Sequence, residues 1–376
     1  MKYLIGTINI LSQVKVFVIT MIWLMVLVVC GTIAQKDIGL YAAQQKYFSS
    51  WLTNLWIIPA PGGRLTMIVL FINLTLFLFN SHLWKIKKIG IVITHLGVLL
   101  LFIGGGITAW FSSEGNMVIE EGKASNYVVD LYNNELVVVD ISNENYDLIT
   151  SFNSQMLKEK KILQHESIPF NIEILNYFIN CQTKQREENN QHFIGFAKNF
   201  ELIPTQANKE YSLNKSGITF KINNSENKEA EGIYSLILDQ PVIQTIEINN
   251  IEYILLLRRE RTYLPFYIQL NEFKKELYPG TDVPKSYSSD VNLISDGLSR
   301  HVLIQMNEPL RYKGYTFYQS SFIEGPIKDT TVLAAVKNYG RLFPYISSLI
   351  IALGLLIHII MRLTGQIRIK KMDSKK

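Results

Sequence analysis

Four stretches of this chain contain no Asp, Glu, Lys or Arg: residues 16–35, 65–84, 89–113 and 343–361. A run of about 20 such residues crosses about 30 Å of hydrocarbon as a helix rising about 1.5 Å per residue. Lipid offers no partner to open backbone groups, so a spanning stretch of this kind folds as a helix. The expected fold is a multi-pass α-helical membrane protein with four transmembrane helices. Overall composition, 48% hydrophobic and 18% charged over 376 residues, leaves enough polar sequence for a large water-exposed part. The first stretch has a competing reading as a cleaved signal peptide, because it follows Lys2 and Lys15 and ends in small residues near Gly31, Thr32 and Ala34. Its apolar core exceeds the roughly 7–15 residues typical of such segments, which favours a retained helix.

Basic residues set the orientation. Lys2 and Lys15 precede the first stretch, Lys85, Lys87 and Lys88 fill the connection between the second and third, and Arg362, Arg368, Lys370, Lys371, Lys375 and Lys376 follow the fourth. Residues 36–64 carry only Lys36, Lys46 and Arg64. The positive-inside rule then puts both termini in the cytoplasm and the long segment before the last helix outside it. The domains read as a membrane region, 1–111, an extracytoplasmic domain, 112–342, and a final helix with its basic tail, 343–376. Topology already accounts for the formal charge of +5, so nucleic acid is not an expected partner.

The extracytoplasmic segment alternates β-branched and aromatic runs with turn signals, and a mainly β domain is expected. Asn133-Asn134 before Leu136 and Asn249-Asn250 before Ile251 both predict tight hairpins, because Asn tolerates positive φ. Residues 182–191 and 223–231 read as solvated loops. An echo links Ile168-Pro169-Phe170 to Leu264-Pro265-Phe266; a duplicated subdomain and chance similarity between amphipathic strands both explain it. The aromatic loop through Tyr47, Phe48, Trp51 and Trp56 suits the outer interface, with a lid over a ligand groove as the other reading. Cys30 and Cys181 fall in the first helix and the outer domain, too far apart in this topology for a structural disulfide.

No nucleophile elbow, zincin, Walker A or C-x-x-C-H pattern occurs. What stands out is histidine in the membrane. His95 lies seven residues beyond Lys88, about 10 Å into the bilayer at helical rise. Gly90, Gly97 and Gly104 recur every seven residues and form a close-packing stripe, and His95 points away from it, toward another helix, a cofactor or a partner subunit. An imidazole at that depth needs a polar partner or a metal. The residues alone leave a hydrogen bond within the helix bundle and a ligand role both open. His358 reads as a second ligand, as a partner of His95 or as an interfacial residue, and His82 as interfacial. His165, His192 and His301 show no metal-ligand spacing.

The sequence resembles the ResB family, also called CcsB, of the type II cytochrome c maturation system. The matching segments are Gly31-Thr32-Ile33-Ala34-Gln35, Thr94-His95-Leu96-Gly97, Glu114-Gly115-Asn116-Met117 with Glu121-Gly122, Tyr278-Pro279-Gly280, Pro284-Lys285-Ser286-Tyr287-Ser288-Ser289-Asp290, Asn307-Glu308-Pro309-Leu310, and the run from Tyr312-Lys313-Gly314-Tyr315 to Gln319-Ser320-Ser321. The resemblance implies a subunit in the cytoplasmic membrane that carries haem b outward and presents it for covalent attachment to apocytochrome c. It implies that His95 is an axial ligand of the haem iron. A separate CcsA-like membrane protein, with a Trp-rich haem-binding segment that this chain lacks, would complete the synthase. The reading from another class is a membrane receptor or structural subunit with a protein-binding outer domain and no haem. Cys181 is read as an inert buried thiol rather than a relay. From the charge asymmetry, a cysteine placed at Arg186 should react with an impermeant maleimide on intact cells and one at Lys87 should not; labelling at Lys87 would invert the topology.

Overall fold

A computed structural model describes residues 8, 10–55, 58–79, 84–187 and 192–373, with the main chain only over 365–373. Lys2, Trp56, His82, Lys375, Lys376 and the 188–191 part of the polar loop lie outside the described residues. Two compact units emerge, one from 1–113 with 336–376 and one from 114–335.

Among its described residues the first unit has four long helices: α1 (Val14–Ile38), α2 (Gly63–Leu78), α3 (Ile89–Phe111) and α4 (Phe343–Asp373). Among the described residues three helical segments are long and apolar enough to cross a membrane, Val14–Ile38, Ile86–Phe111 and Phe343–Thr364. The fourth apolar helix, α2, is shorter as described, at 16 residues or about 24 Å. Its start is set by Gly62 and Gly63, which lie so close to the Ser50 and Phe48 main chain that neither has room for a Cβ.

Helix α1 is anchored at its start and again at Trp23. Near its start Asn73, buried in α2, donates through Nδ2 to the Leu11 and Gln13 carbonyls at 2.5 and 3.0 Å, so carbonyls at a helix break are satisfied without water. Further along, Trp23 Nε1 donates to Pro61 O at 3.0 Å. The loop after α1 is more ordered than an interfacial tether. Leu40–Ala43 and the π-helical Gln44–Phe48 fold back, and β1 (Leu52–Leu55) pairs with β2 (Ile58–Pro61). Tyr47 is buried, the Phe48 ring fills the notch at Gly31, and Trp51 faces outward.

Helices α3 and α4 meet along the glycine stripe expected from the sequence. A Cβ at Gly90 would stand 2.5 Å from His358 N, one at Gly97 3.0 Å from Ile351 N, and one at Gly104 would strike the Phe343 side chain. From the other side, a Cβ at Gly354 would stand 2.5 Å from Thr94 N. Backbones this close gain dispersion contacts along the whole seam, the main attraction available between helices in lipid.

The second unit is mainly β, with one short helix, Phe196–Asn199, and 3-10 turns at Tyr211–Leu213 and Lys228–Ala230. A ten-stranded sheet contains β3 (Ser113–Glu120), β4 (Ala124–Asp140), β5 (Leu148–Asn153), β12 (Gln244–Ile248), β13 (Ile251–Leu277), β14 (Pro284–Ser295), β15 (Leu298–Gln305), β16 (Leu310–Tyr312), β17 (Tyr315–Ile323) and β18 (Thr330–Lys337). A four-stranded sheet contains β6 (Ile162–Leu163), β7 (Asn171–Phe178), β10 (Gly217–Asn223) and β11 (Gly232–Ile237), and β8 (Cys181–Gln185) pairs with β9 (Phe200–Pro204). Residues 182–185 are thus strand rather than loop.

Strands β4 and β13 are long enough to serve two cores. Leu136, Val138, Leu255 and Leu257 pack against the four-stranded sheet through Ile172, Ile174, Phe220 and Tyr234. Val128, Phe266, Ile268 and Leu270 line a second core with Met117, Phe317 and Leu333. Each echoed Pro-Phe motif thereby seats a phenylalanine in its own core, Phe170 in the first and Phe266 in the second.

Between the cores the β4–β13 register shifts from Arg259↔Asn134 to Arg261↔Val129. Asn133-Asn134 therefore marks a bulge inside a continuous strand, not a hairpin. The Asp130 carboxylate accepts from Tyr132 N and Asn133 N at 2.7 Å, and buried Asn134 donates to Tyr177 Oη and Ser216 Oγ. At the second expected hairpin Asn249 and Asn250 do adopt φ of 56° and 59° and join β12 to β13. A buried ion pair, Arg258 Nε to Glu135 Oε1 at 2.7 Å, crosses the two long strands beside the bulge.

The seam makes an energetic prediction. Gly97→Val should destabilise the purified protein by about 1–3 kcal/mol, the usual cost of overpacking, whereas Gly105→Ala, whose Cβ would meet nothing within 4 Å, should leave the thermal midpoint unchanged. Equal midpoints for the two variants would remove the seam from the account of stability.

Candidate functional site

The site is built on α3. Lys85 leads into a 3-10 turn, Ile86–Lys88, that continues directly into the helix, so His95 sits two turns from a cluster of three lysines. With the glycine seam against α4, the opposite face of α3 meets α2. There Leu78 and Val92 are buried with Phe77 and Leu99 around them, and the Phe71 and Phe102 rings lie 6.5 Å apart.

The His95 ring lies on this second face. Its Nδ1 is 2.7 Å from the Ile91 carbonyl oxygen, one turn back in the same helix. A carbonyl only accepts, so Nδ1 carries the proton and Nε2 keeps the lone pair. Nε2 makes no hydrogen bond to any described residue. The Phe77 ring packs against the imidazole at a centroid distance of 5.0 Å and a tilt of 42°. His95 is thus tied at Nδ1, and in the tautomer that this bond selects Nε2 carries the lone pair through which histidine binds a metal.

Within the same unit, His358 contributes to a different face of α3. The His358 main chain occupies the seam against Gly90, on the face of α3 turned away from His95. It is not the hydrogen-bond partner of His95; the Ile91 carbonyl is. His165 Nδ1 accepts from Ser167 N in a turn, and His301 Nε2 pairs with Asp290 Oδ1 at 2.7 Å on the sheet surface. The Asp290 carboxyl is held below its ordinary range first by a hydrogen bond from Asn271 and then by His301. Burial pushes Glu260 up, and the nearby charges of Asp130 and Glu135 add to it. Among the described residues no group of three or more His, Cys, Asp or Glu is placed to hold a metal ion. Phe77 and the Ile91 carbonyl were not singled out from sequence, because which residues surround a ring on one helix depends on how its neighbours are rotated and staggered.

A family model described as the ResB-like family matches residues 85–161 and 244–362, more than half of the chain. The chain belongs to the ResB-like family. The two matched segments contain α3, most of α4's apolar stretch and every strand of the ten-stranded sheet, whereas the unmatched residues 162–243 build the four-stranded sheet and the β8–β9 hairpin. The chain is also similar to Protein NrfI of Wolinella succinogenes, with 23% identity over 333 residues, covering 87% of this chain and 32% of that protein. It thus spans about a third of the length of the curated relative it matches.

Cys30 and Cys181 are free and belong to different units. Cys181 is buried beneath Gly217 and Leu202, and burial pushes its thiol up to about 11. At neutral pH it is protonated, and the thiolate needed for exchange is scarce. In the native protein at pH 8 the Cys181 peptide should stay unlabelled by iodoacetamide and become labelled in denaturant, as read by mass spectrometry. Rapid native labelling would restore a thiol-relay role.

Proposed function

We propose that this chain is a subunit of a membrane haem-export and cytochrome c synthase complex, which carries haem across the cytoplasmic membrane and presents it for attachment to apocytochrome c. The observation that carries the reading is the placement of His95: an imidazole with Nδ1 tied to the Ile91 carbonyl and Nε2 left over, on an apolar helix of a ResB-like protein. That donor fits one axial position of a haem iron. Haem b is cargo here, and its two vinyl groups are where apocytochrome thiols add, each S–H forming one C–S and one C–H bond with no net change of electrons.

The chain's own contribution is to hold and orient. His95 binds from within the membrane region, and the apolar α2–α3 face around Phe77 and Leu99 keeps water from the bond. Lys85, Lys87 and Lys88 are placed to attract propionates on the cytoplasmic side, alongside their part in setting topology. By the charge asymmetry both termini are cytoplasmic, α2 completes a four-helix membrane region despite its length, and the β unit lies outside, where apocytochrome c arrives. A CcsA-like protein with a Trp-rich segment supplies the remaining ligands, and thioether formation belongs to the complex.

Replacing His95 with Gly should strip most of the haem from the purified complex and stop cytochrome c maturation. Added imidazole should partly restore both, since coordination needs the ring and not its tether. His358→Gly should be the milder change. Wild-type Soret absorbance and normal maturation in a folded His95→Gly complex would return His95 to a packing role and the chain to the receptor reading.

A further inference from the structure

The Ile91 hydrogen bond holds one ring nitrogen of His95, but a single bond to a carbonyl with two lone pairs leaves the imidazole plane free to pivot about it. A second contact is needed to fix the plane, and it comes from a different helix. Phe77 of α2 lies 5.0 Å from the imidazole centroid at a 42° tilt, within the range of specific aromatic pairing. Phe77 is held in turn by packing, partly buried, against the Leu78–Val92 contact between α2 and α3. The iron–imidazole bond is directional, along the Nε2 lone pair in the ring plane, and groups behind a ligating histidine set its orientation and basicity.

We propose that Phe77 is a positioning residue for the His95 imidazole, fixing the ring plane so that Nε2 stays aligned with a haem iron while the Ile91 carbonyl fixes the tautomer. This rests on His95 being the haem ligand. It makes α2, the short helix of the membrane region, a determinant of how haem is ligated rather than a spacer between α1 and α3.

The test uses the full chain purified with its CcsA-like partner, loaded with haem, and read by absorption and low-temperature electron paramagnetic resonance of the ferric form. Phe77→Ala should keep haem within about twofold of wild type while the high-spin fraction rises several-fold, because an imidazole free to turn is a weaker axial ligand. Free imidazole should return that fraction to the low-spin form. Phe77→Tyr, which keeps the ring, should match wild type, and Phe77→Leu should shift the same way as Ala by less, which covers a poorly folding Ala variant. Phe71→Ala removes a neighbouring α2–α3 aromatic contact that does not touch His95, and its haem spectrum should be unchanged. A wild-type spectrum in both Phe77→Ala and Phe77→Leu overturns the proposal, as does an equal spin change in Phe71→Ala, which would trace the effect to loosened helix packing. Retention of wild-type haem and spectrum by His95→Gly would instead overturn the ligand reading on which the proposal stands.

Discussion

The contact of α3 with α4 along Gly90, Gly97 and Gly104 is the constraint from which the membrane unit follows. These two helices flank the whole β unit in the chain, and their seam brings together segments more than 200 residues apart. At its upper end the Thr108 hydroxyl donates to Asn338 Oδ1 at 3.0 Å, and Gly340 N donates to the same oxygen at 2.8 Å, so polar groups at the chain's re-entry are satisfied where α4 begins. Once one face of α3 is committed to backbone contact with α4, only the opposite face can meet α2. His95 lies on that opposite face.

That division explains why His95 and His358 are not partners of each other. A polar ring in an apolar bundle must be satisfied locally, and the helix supplies a carbonyl one turn back for Nδ1. What is left over is the Nε2 lone pair. His358, by contrast, lends its main chain to the seam. The same economy governs Asn73, whose amide satisfies two carbonyls at the break before α1 and so has a structural partner already.

In the β unit, the 27-residue strand β13 plays the corresponding part. Running through both cores with β4, it forces a bulge where one core gives way to the other. That junction is where the polar groups gather: the Arg258–Glu135 pair, Asn134, and Arg259 donating to the Ser212 carbonyl. Breaking a pair buried this well leaves an uncompensated charge. The segment between the two family-matched regions adds its own sheet onto the first core and leaves the ten-stranded sheet continuous, as expected of an elaboration on a shared scaffold.

Hydrophobic runs, the glycine heptad and the facing of His95 away from it were legible in the sequence because they are periodic and local, and helix geometry converts them into faces without further information. The Asn249-Asn250 turn was legible for the same reason. Asn133-Asn134 misled, because whether an Asn pair turns the chain or bulges a strand depends on what the partner strand offers, and Arg258 to Arg261 are more than 120 residues away. The length of α2 was likewise undetermined: apolar sequence continues to Trp84, but close packing of Gly62 and Gly63 on Ser50 and Phe48 sets where the helix begins. The sequence by itself determined that the chain has apolar helices, a β domain and an imidazole within one of those helices. Only the tertiary structure decided which nitrogen of that imidazole carries the lone pair and which ring stands beside it, because a tautomer follows from the acceptor within reach and a neighbour from how two helices pack.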